Sequence, residues 1–297
     1  MIDFIKLAAE YLVRRIYFKY PFLVNFYKSF RERTLQGSVN NTNLSIEKAH
    51  YTIKENIPLD SDIMLHCSMA GCSGLTPHAI LSMFEDLCIN KNLLLPTHPL
   101  VKMNSGGHLA YSVKKSISSV GLVSELARRR NGFIRSQHPI STVAVKGDYA
   151  SEYLKNNLNE SSPLPHGINS PYYRLAERNG YVVCLGIPFI KCLTMMHVAE
   201  EFLDDRFPLK GIFESLEYSV ESHEGTVVRT VRRRKPSLVH HLSMNSIRRE
   251  LIASGAVSSF RIEGLIIDIV DARRVVDVMT KKGLETGFPY MFYSGYE

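Results

Sequence analysis

Apolar and polar positions along this chain fall into blocks that switch between two periods, one near 3.6 residues and one near 2. A helix is predicted from near Ser45 to just before Pro58, and the run Ile63 to Cys67 (IMLHC) reads as a buried strand. The segment SMAGCSGLTP follows, with Gly71 and Gly74, and ends on Thr76-Pro77. Threonine at the cap with proline at the first helical position marks a helix start. The next apolar face is Ile80, Leu81, Phe84, Leu87 and Cys88, and then comes a second strand, Leu93 to Pro96. Strand, glycine-containing turn, helix, strand is the grammar of a βαβ unit and predicts a mostly parallel sheet.

The same grammar returns later. Tyr181 to Ile187 (YVVCLGI) reads as a strand and Leu193 to Leu203 (LTMMHVAEEFL) as a helix. Ser259 to Asp271 (SFRIEGLIIDIVD) reads as a central strand, and residues 272–282 as a last helix ending at Gly283. No repeat or low-complexity tract interrupts this order. The expected architecture is one main α/β domain over residues 45–297 with an N-terminal appendage over residues 1–44.

That appendage carries Phe4, Ile5, Leu7, Ala8, Tyr11, Leu12 and Ile16 at helical spacing, followed by basic and aromatic residues. It has no apolar stretch of 18 residues and no small-residue cleavage site, which argues against a spanning helix and against a signal peptide. A basic amphipathic helix can lie in a membrane interface, pack on its own domain, or meet another subunit in a homo-oligomer. Residues 35–46 are polar and read as a linker.

Composition narrows the class. Hydrophobic residues at 45% and charged residues at 22% are ordinary for a globular protein. Five cysteines, odd in number and without a CxxC pair, read as reduced thiols in a cytoplasmic protein. The net charge of +7 favours small anionic partners or a membrane surface. No nucleic-acid motif accompanies it.

Four stretches carry candidate chemistry. SMAGCSGLTP fits neither a Walker nor a Rossmann fingerprint, but a helix N-terminus after such a turn can hold a pyrophosphate. In ELARRRNGFIRSQHP the run Arg128–Arg130 reads as a solvated face, whereas Arg135, Ser136 and His138 suit phosphate binding. His197 lies in TMMHVAEE between Thr194 and Glu200. HxxE lacks a third ligand, so no metal is expected. Glu263 is an acid in an otherwise apolar run; it either faces solvent at a strand end or serves a partner such as an imidazole.

In this order the motifs RSQHPISTVAVKGDYA, GINSPYYRL, LTMMHVAE and FRIEG resemble the aminoglycoside 3-N-acetyltransferase (antibiotic N-acetyltransferase) family, from about Asp62 to about Lys282. The resemblance implies a three-layer α/β/α sandwich with an added N-terminal helical segment. It also implies acetyl-CoA or another acyl-CoA as co-substrate and direct transfer without a covalent intermediate. Carried over by motif, His197 is the catalytic base and Glu263 the acid paired with it. Ser68, Arg135, Ser136, His138 and Thr194 fall beside the cofactor, and Thr97, His98 and Glu200 toward the acceptor.

Departures from the family pattern concern the acceptor. Glu160 stands where many members have a histidine, and a different histidine, His166, lies four residues before Ser170. The stretch Arg229 to His241 is rich in arginine. The expectation drawn from these features is N-acylation of a nucleotide- or lipid-linked amino sugar in surface polysaccharide synthesis, at the inner membrane face. The alternatives are aminoglycoside acetylation conferring resistance, a catalytically silent CoA-binding module, and, for the mechanism, a ping-pong route through Cys67 or Cys72.

Overall fold

The computed structural model describes residues 46–159, 164–203, 213–234 and 244–286. The segment 1–44, Glu160 and residues 235–241 of the arginine-rich stretch lie outside them.

The first helix, α1 (Ile46–Asn56), leads into β1 (Ile63–Cys67). A single 3-10 turn at Met69–Gly71 then precedes α2 (Pro77–Leu87) and β2 (Leu93–Pro96). Thr76 caps α2 as its sequence predicts, its Oγ1 accepting the Ala79 N–H at 3.1 Å ahead of Pro77. Short strands β3 (Lys102–Met103) and β4 (Leu109–Ser112) come next, then α3 (Leu122–Arg129), β5 (Ile134–Arg135), β6 (Val143–Lys146) and α4 (Ala150–Leu154). The chain continues through α5 (Pro171–Glu177), β7 (Tyr181–Leu185), α6 (Met195–Leu203), β8 (Phe213–Ser222), β9 (Gly225–Arg234) and α7 (Met244–Ala253). It closes with β10 (Val257–Ile262), β11 (Leu265–Asp271) and α8 (Ala272–Thr286).

Seven strands form the central sheet in the order β10-β11-β7-β1-β2-β6-β5. Only β1, β2 and β7 run parallel; β11 and β6 join them antiparallel from either side. The sheet is therefore mixed rather than mostly parallel. Period-2 alternation splits its side chains between two cores. Met64, Leu94, Val182 and Val270 face α4 to α8, whereas Ile63, Leu65, Leu93, Val183 and Ile267 face α1, α2 and α3. The result is the expected three layers, α/β/α. Among the described residues no helix is long and apolar enough to cross a membrane.

One reading of the sequence changes here. The run Ser259 to Asp271 is not one strand but a hairpin: Ile262 pairs with Leu265, so Glu263 and Gly264 make a two-residue turn. Both have positive φ, 48° and 90°, as a primed hairpin turn requires. Further, Arg229 to Arg234 of the arginine-rich stretch form the end of β9 in a second sheet, ordered β3-β4-β8-β9. There Arg233 pairs with Glu214 at 2.7 Å, and Arg232 lies over the Phe213 ring.

Candidate active site

Strands β1, β2 and β7 all end on the same edge of the sheet, where a parallel arrangement places ligand clefts. A cavity of about 600 Å³ opens there. One wall is the turn after β1 with Ser68, and another is the first turn of α3 with Gly121 to Ser124. His66, His98 and Thr194 line it as well, with Lys191 at an exposed position. The turn holds its shape through a close backbone approach. A Cβ on Gly71 would sit 1.9 Å from the Gly186 carbonyl oxygen, and Gly186 itself has φ +69°. Only glycine fits at either position.

The cavity's two imidazoles are neutral at neutral pH. Burial pushes His66 down to about 4. Burial, then its proximity to the ionisable rings of His166, His66 and His197 and to the Arg135 guanidinium, pushes His98 down to about 3. Thr194 Oγ1 and His66 Nε2 face each other at 3.4 Å, as do the Tyr172 hydroxyl and His98 Nε2. From Tyr172 the contact continues inward: the His166 ring lies 4.8 Å from the Tyr172 ring and 5.2 Å from the ring of His197.

His197 stands on the first turns of α6, its backbone N–H bonded to the Thr194 carbonyl at 3.0 Å. Its Nδ1 meets Glu200 Oε2 at 2.7 Å. A carboxylate only accepts, so the imidazole N–H lies at Nδ1 and Nε2 becomes the proton acceptor. Residues three apart on a helix share a face, which is why TMMHVAEE forms this dyad within one turn. Glu200 is buried at 2% side-chain exposure, and His197 reaches solvent at 30%. The geometry is that of an oriented general base.

Glu263 is not brought to His197. It sits on the β10–β11 turn and pairs with Lys48 of α1, whose residues pack on the sheet face opposite α6. The acid beside the His197 imidazole is Glu200, which the sequence places on the acceptor side.

The remaining expectations divide in two. Ser68, His98 and Thr194 line the cavity. Arg135, Ser136, His138 and Thr97 do not; they brace the sheet edge behind it. The guanidinium of Arg135 donates to Thr97 Oγ1 at 3.1 Å, to the Thr97 carbonyl, and to the Ser116 and Val113 carbonyls at 2.6 and 3.3 Å. Ser136 Oγ accepts the Val143 N–H, and His138 Nδ1 closes a turn with Ile140. These bonds tie β5 and β6 to the end of β2, and so fix where His98 begins. His66, His166, Glu201 and the α3 N-terminus were missed. For His66 a signal existed: it lies in the run Ile63 to Cys67, two residues before Ser68.

Comparison with known proteins bears on this constellation. Residues 64–282, well over half of the chain, match the family model described as aminoglycoside 3-N-acetyltransferase, and the chain belongs to that family of acyltransferases. It is 37% identical over 84 residues to aminoglycoside N(3)-acetyltransferase VII of Streptomyces paromomycinus, covering 28% of each chain. It is 35% identical over 86 residues to aminoglycoside N(3)-acetyltransferase IX of Micromonospora chalcea, covering 29% of each. The aligned stretch thus spans little more than a quarter of those relatives. Similar folds extend further. A CoASH complex of AAC-IIIb has a TM-score of 0.67 at 20% identity, over 80% of this chain and 95% of that one. Sisomicin-bound AAC-VIa has a TM-score of 0.69 at 15% identity, over 82% and 98%.

The surface-polysaccharide reading is overturned by these findings, since the family model and the curated relatives are all aminoglycoside N-acetyltransferases.

Proposed function

We propose that this protein transfers the acetyl group of acetyl-CoA directly to the 3-amino group of an aminoglycoside. The observation that carries the proposal is the His197–Glu200 dyad at 2.7 Å, joined through Thr194 and His66 to a cavity of about 600 Å³.

In this reading the cavity takes the donor. The first-turn N–H groups of α3 and the Lys191 ammonium receive its phosphates, as helix N-termini commonly do. Its apolar walls hold the pantetheine arm. The neutral His197 ring, oriented by Glu200, removes a proton from the acceptor amine as nitrogen attacks the thioester carbonyl. Such a base contributes about 10²–10⁴-fold.

A ping-pong route through Cys67 is disfavoured on chemical grounds. Its hydrogen bond to Cys72 and its burial push its thiol up, and although the same contact pushes Cys72 down, Cys72 is buried and does not line the cavity. The catalytic unit is residues 45–297, and reduced cysteines with an acetyl-CoA donor fit a cytoplasmic location.

The test is thiol release from acetyl-CoA by purified protein with sisomicin and apramycin, against UDP-glucosamine as a control. Turnover with an aminoglycoside and none with the nucleotide sugar is expected. The reverse pattern would overturn the proposal.

A further inference from the structure

Beside the His197–Glu200 dyad lies a second one. His166, in the loop before α5, is buried at 7% side-chain exposure, and Glu201 at 4%. Glu201 is spent entirely on this histidine. Its Oε2 accepts the His166 backbone N–H at 2.6 Å, and its Oε1 meets the ring Nδ1 at 2.9 Å. Consecutive helical residues point about 100° apart. Glu200 and Glu201 therefore diverge from α6, one holding an imidazole of its own helix and the other an imidazole from a distant loop.

A carboxylate at Nδ1 places the proton there, so Nε2 is the acceptor atom. That atom is buried and has no hydrogen-bond partner among the described residues. Buried polar atoms are nearly always paired, so an orphan calls for an explanation. Here the ring lies 5.2 Å from the ring of His197, beside the proposed site of proton removal.

We propose that His166 Nε2 is an acceptor-binding group that receives one N–H of the attacking amine, while His197 receives the other. This rests on the acetyl-transfer reading. A neutral primary amine has two N–H bonds and one lone pair. Two acceptors held by two carboxylates fix both hydrogens, and the lone pair then points at the thioester carbonyl. The balance is RNH3+ plus acetyl-S-CoA giving RNHCOCH3, CoASH and H+. One proton leaves before attack. As the C–S bond breaks with its electron pair on sulfur, the second proton passes through His197 to the thiolate. His166 orients the nitrogen, and its positioning acid is Glu201.

The test compares wild type with His166→Gln and Glu201→Gln, using sisomicin as acceptor. Expected is a loss of roughly tenfold to hundredfold in kcat/KM for sisomicin, the size of one lost hydrogen bond to a developing charge. The calorimetric Kd for CoA should stay within about twofold, which separates loss of amine orientation from a general structural defect. In Glu201→Gln the ring remains but is no longer fixed, and the loss should be smaller than in His166→Gln. Wild-type kcat/KM in a folded His166→Gln protein would overturn the inference while leaving acetyl transfer intact. Absence of turnover by wild type with sisomicin and apramycin alike would overturn both.

Discussion

His197 Nδ1 lies 2.7 Å from Glu200 Oε2, so the imidazole and the acid that orients it belong to one turn of one helix. The arrangement is economical in conformational terms. The helix fixes both backbones, and burial of Glu200 at 2% exposure shields the pair from solvent screening.

Replacement of His197 by alanine is expected to lower kcat by about 10²–10⁴-fold. Donor affinity, measured as the Kd for CoA, should change little, because His197 does not line the cavity. A fall in donor affinity matching the fall in kcat would place this ring in the wrong half of the site.

Arg135→Ala is expected to act on stability rather than on donor binding. The residue is 8% exposed, and its bonds to Thr97, Ser116 and Val113 would all be lost. Removing it deprives the Ser116 and Val113 carbonyls of this donor and leaves a void, and should cost about 2–3 kcal/mol. Denaturant unfolding measures the cost; an unchanged midpoint with weakened CoA binding would reverse the assignment.

Gly186→Ala should both destabilise the fold and loosen the donor loop. At φ +69° a side chain is strained, and its Cβ would fall 2.5 Å from Cys72 Sγ and 2.7 Å from the Ser68 carbonyl oxygen. A loss of about 2 kcal/mol or more is expected, with weaker CoA binding because Ser68 must shift. Wild-type stability in this variant would contradict the close approach.

Acid should destabilise the protein through its cavity imidazoles. His66 and His98 titrate near 4 and 3 in the folded chain against 6.5 when free. Between those values the unfolded chain binds more protons, so stability is complete above about pH 6.5 and falls as pH drops. From pH 7 to pH 5 the two together should cost about 2–4 kcal/mol. The slope of stability against pH should be clearly shallower in His98→Gln. An identical slope in that variant would show that His98 is not held neutral.

The layered α/β fold was legible because its core strands are short apolar runs and α2 carries its own cap at Thr76-Pro77. His197 was legible as a candidate base too, since it sits in a compact motif. Its acid was not. SFRIEGLIIDIVD contains no Asn-Gly or Asp-Gly, and a glutamate at φ 48° is rare enough that the turn at Glu263-Gly264 gave no local signal. One continuous pattern therefore concealed two strands, and a surface turn residue looked like a buried carboxylate. The His166–Glu201 pair was hidden for another reason: its members are 35 residues apart, and only the packing of α5 against α6 brings them together. Arg135 misled by its chemistry, because a guanidinium suited to phosphate serves equally well to gather main-chain carbonyls.

The most direct test is to measure kcat for Glu200→Gln and Glu263→Gln side by side, with acetyl-CoA and sisomicin. The account predicts a fall of at least about tenfold for Glu200→Gln, because the imidazole loses the charge that orients it. It predicts wild-type turnover for Glu263→Gln, because that carboxylate sits on the β10–β11 turn, where it pairs with Lys48 and not with His197. Full activity in the first variant and a large loss in the second would contradict it.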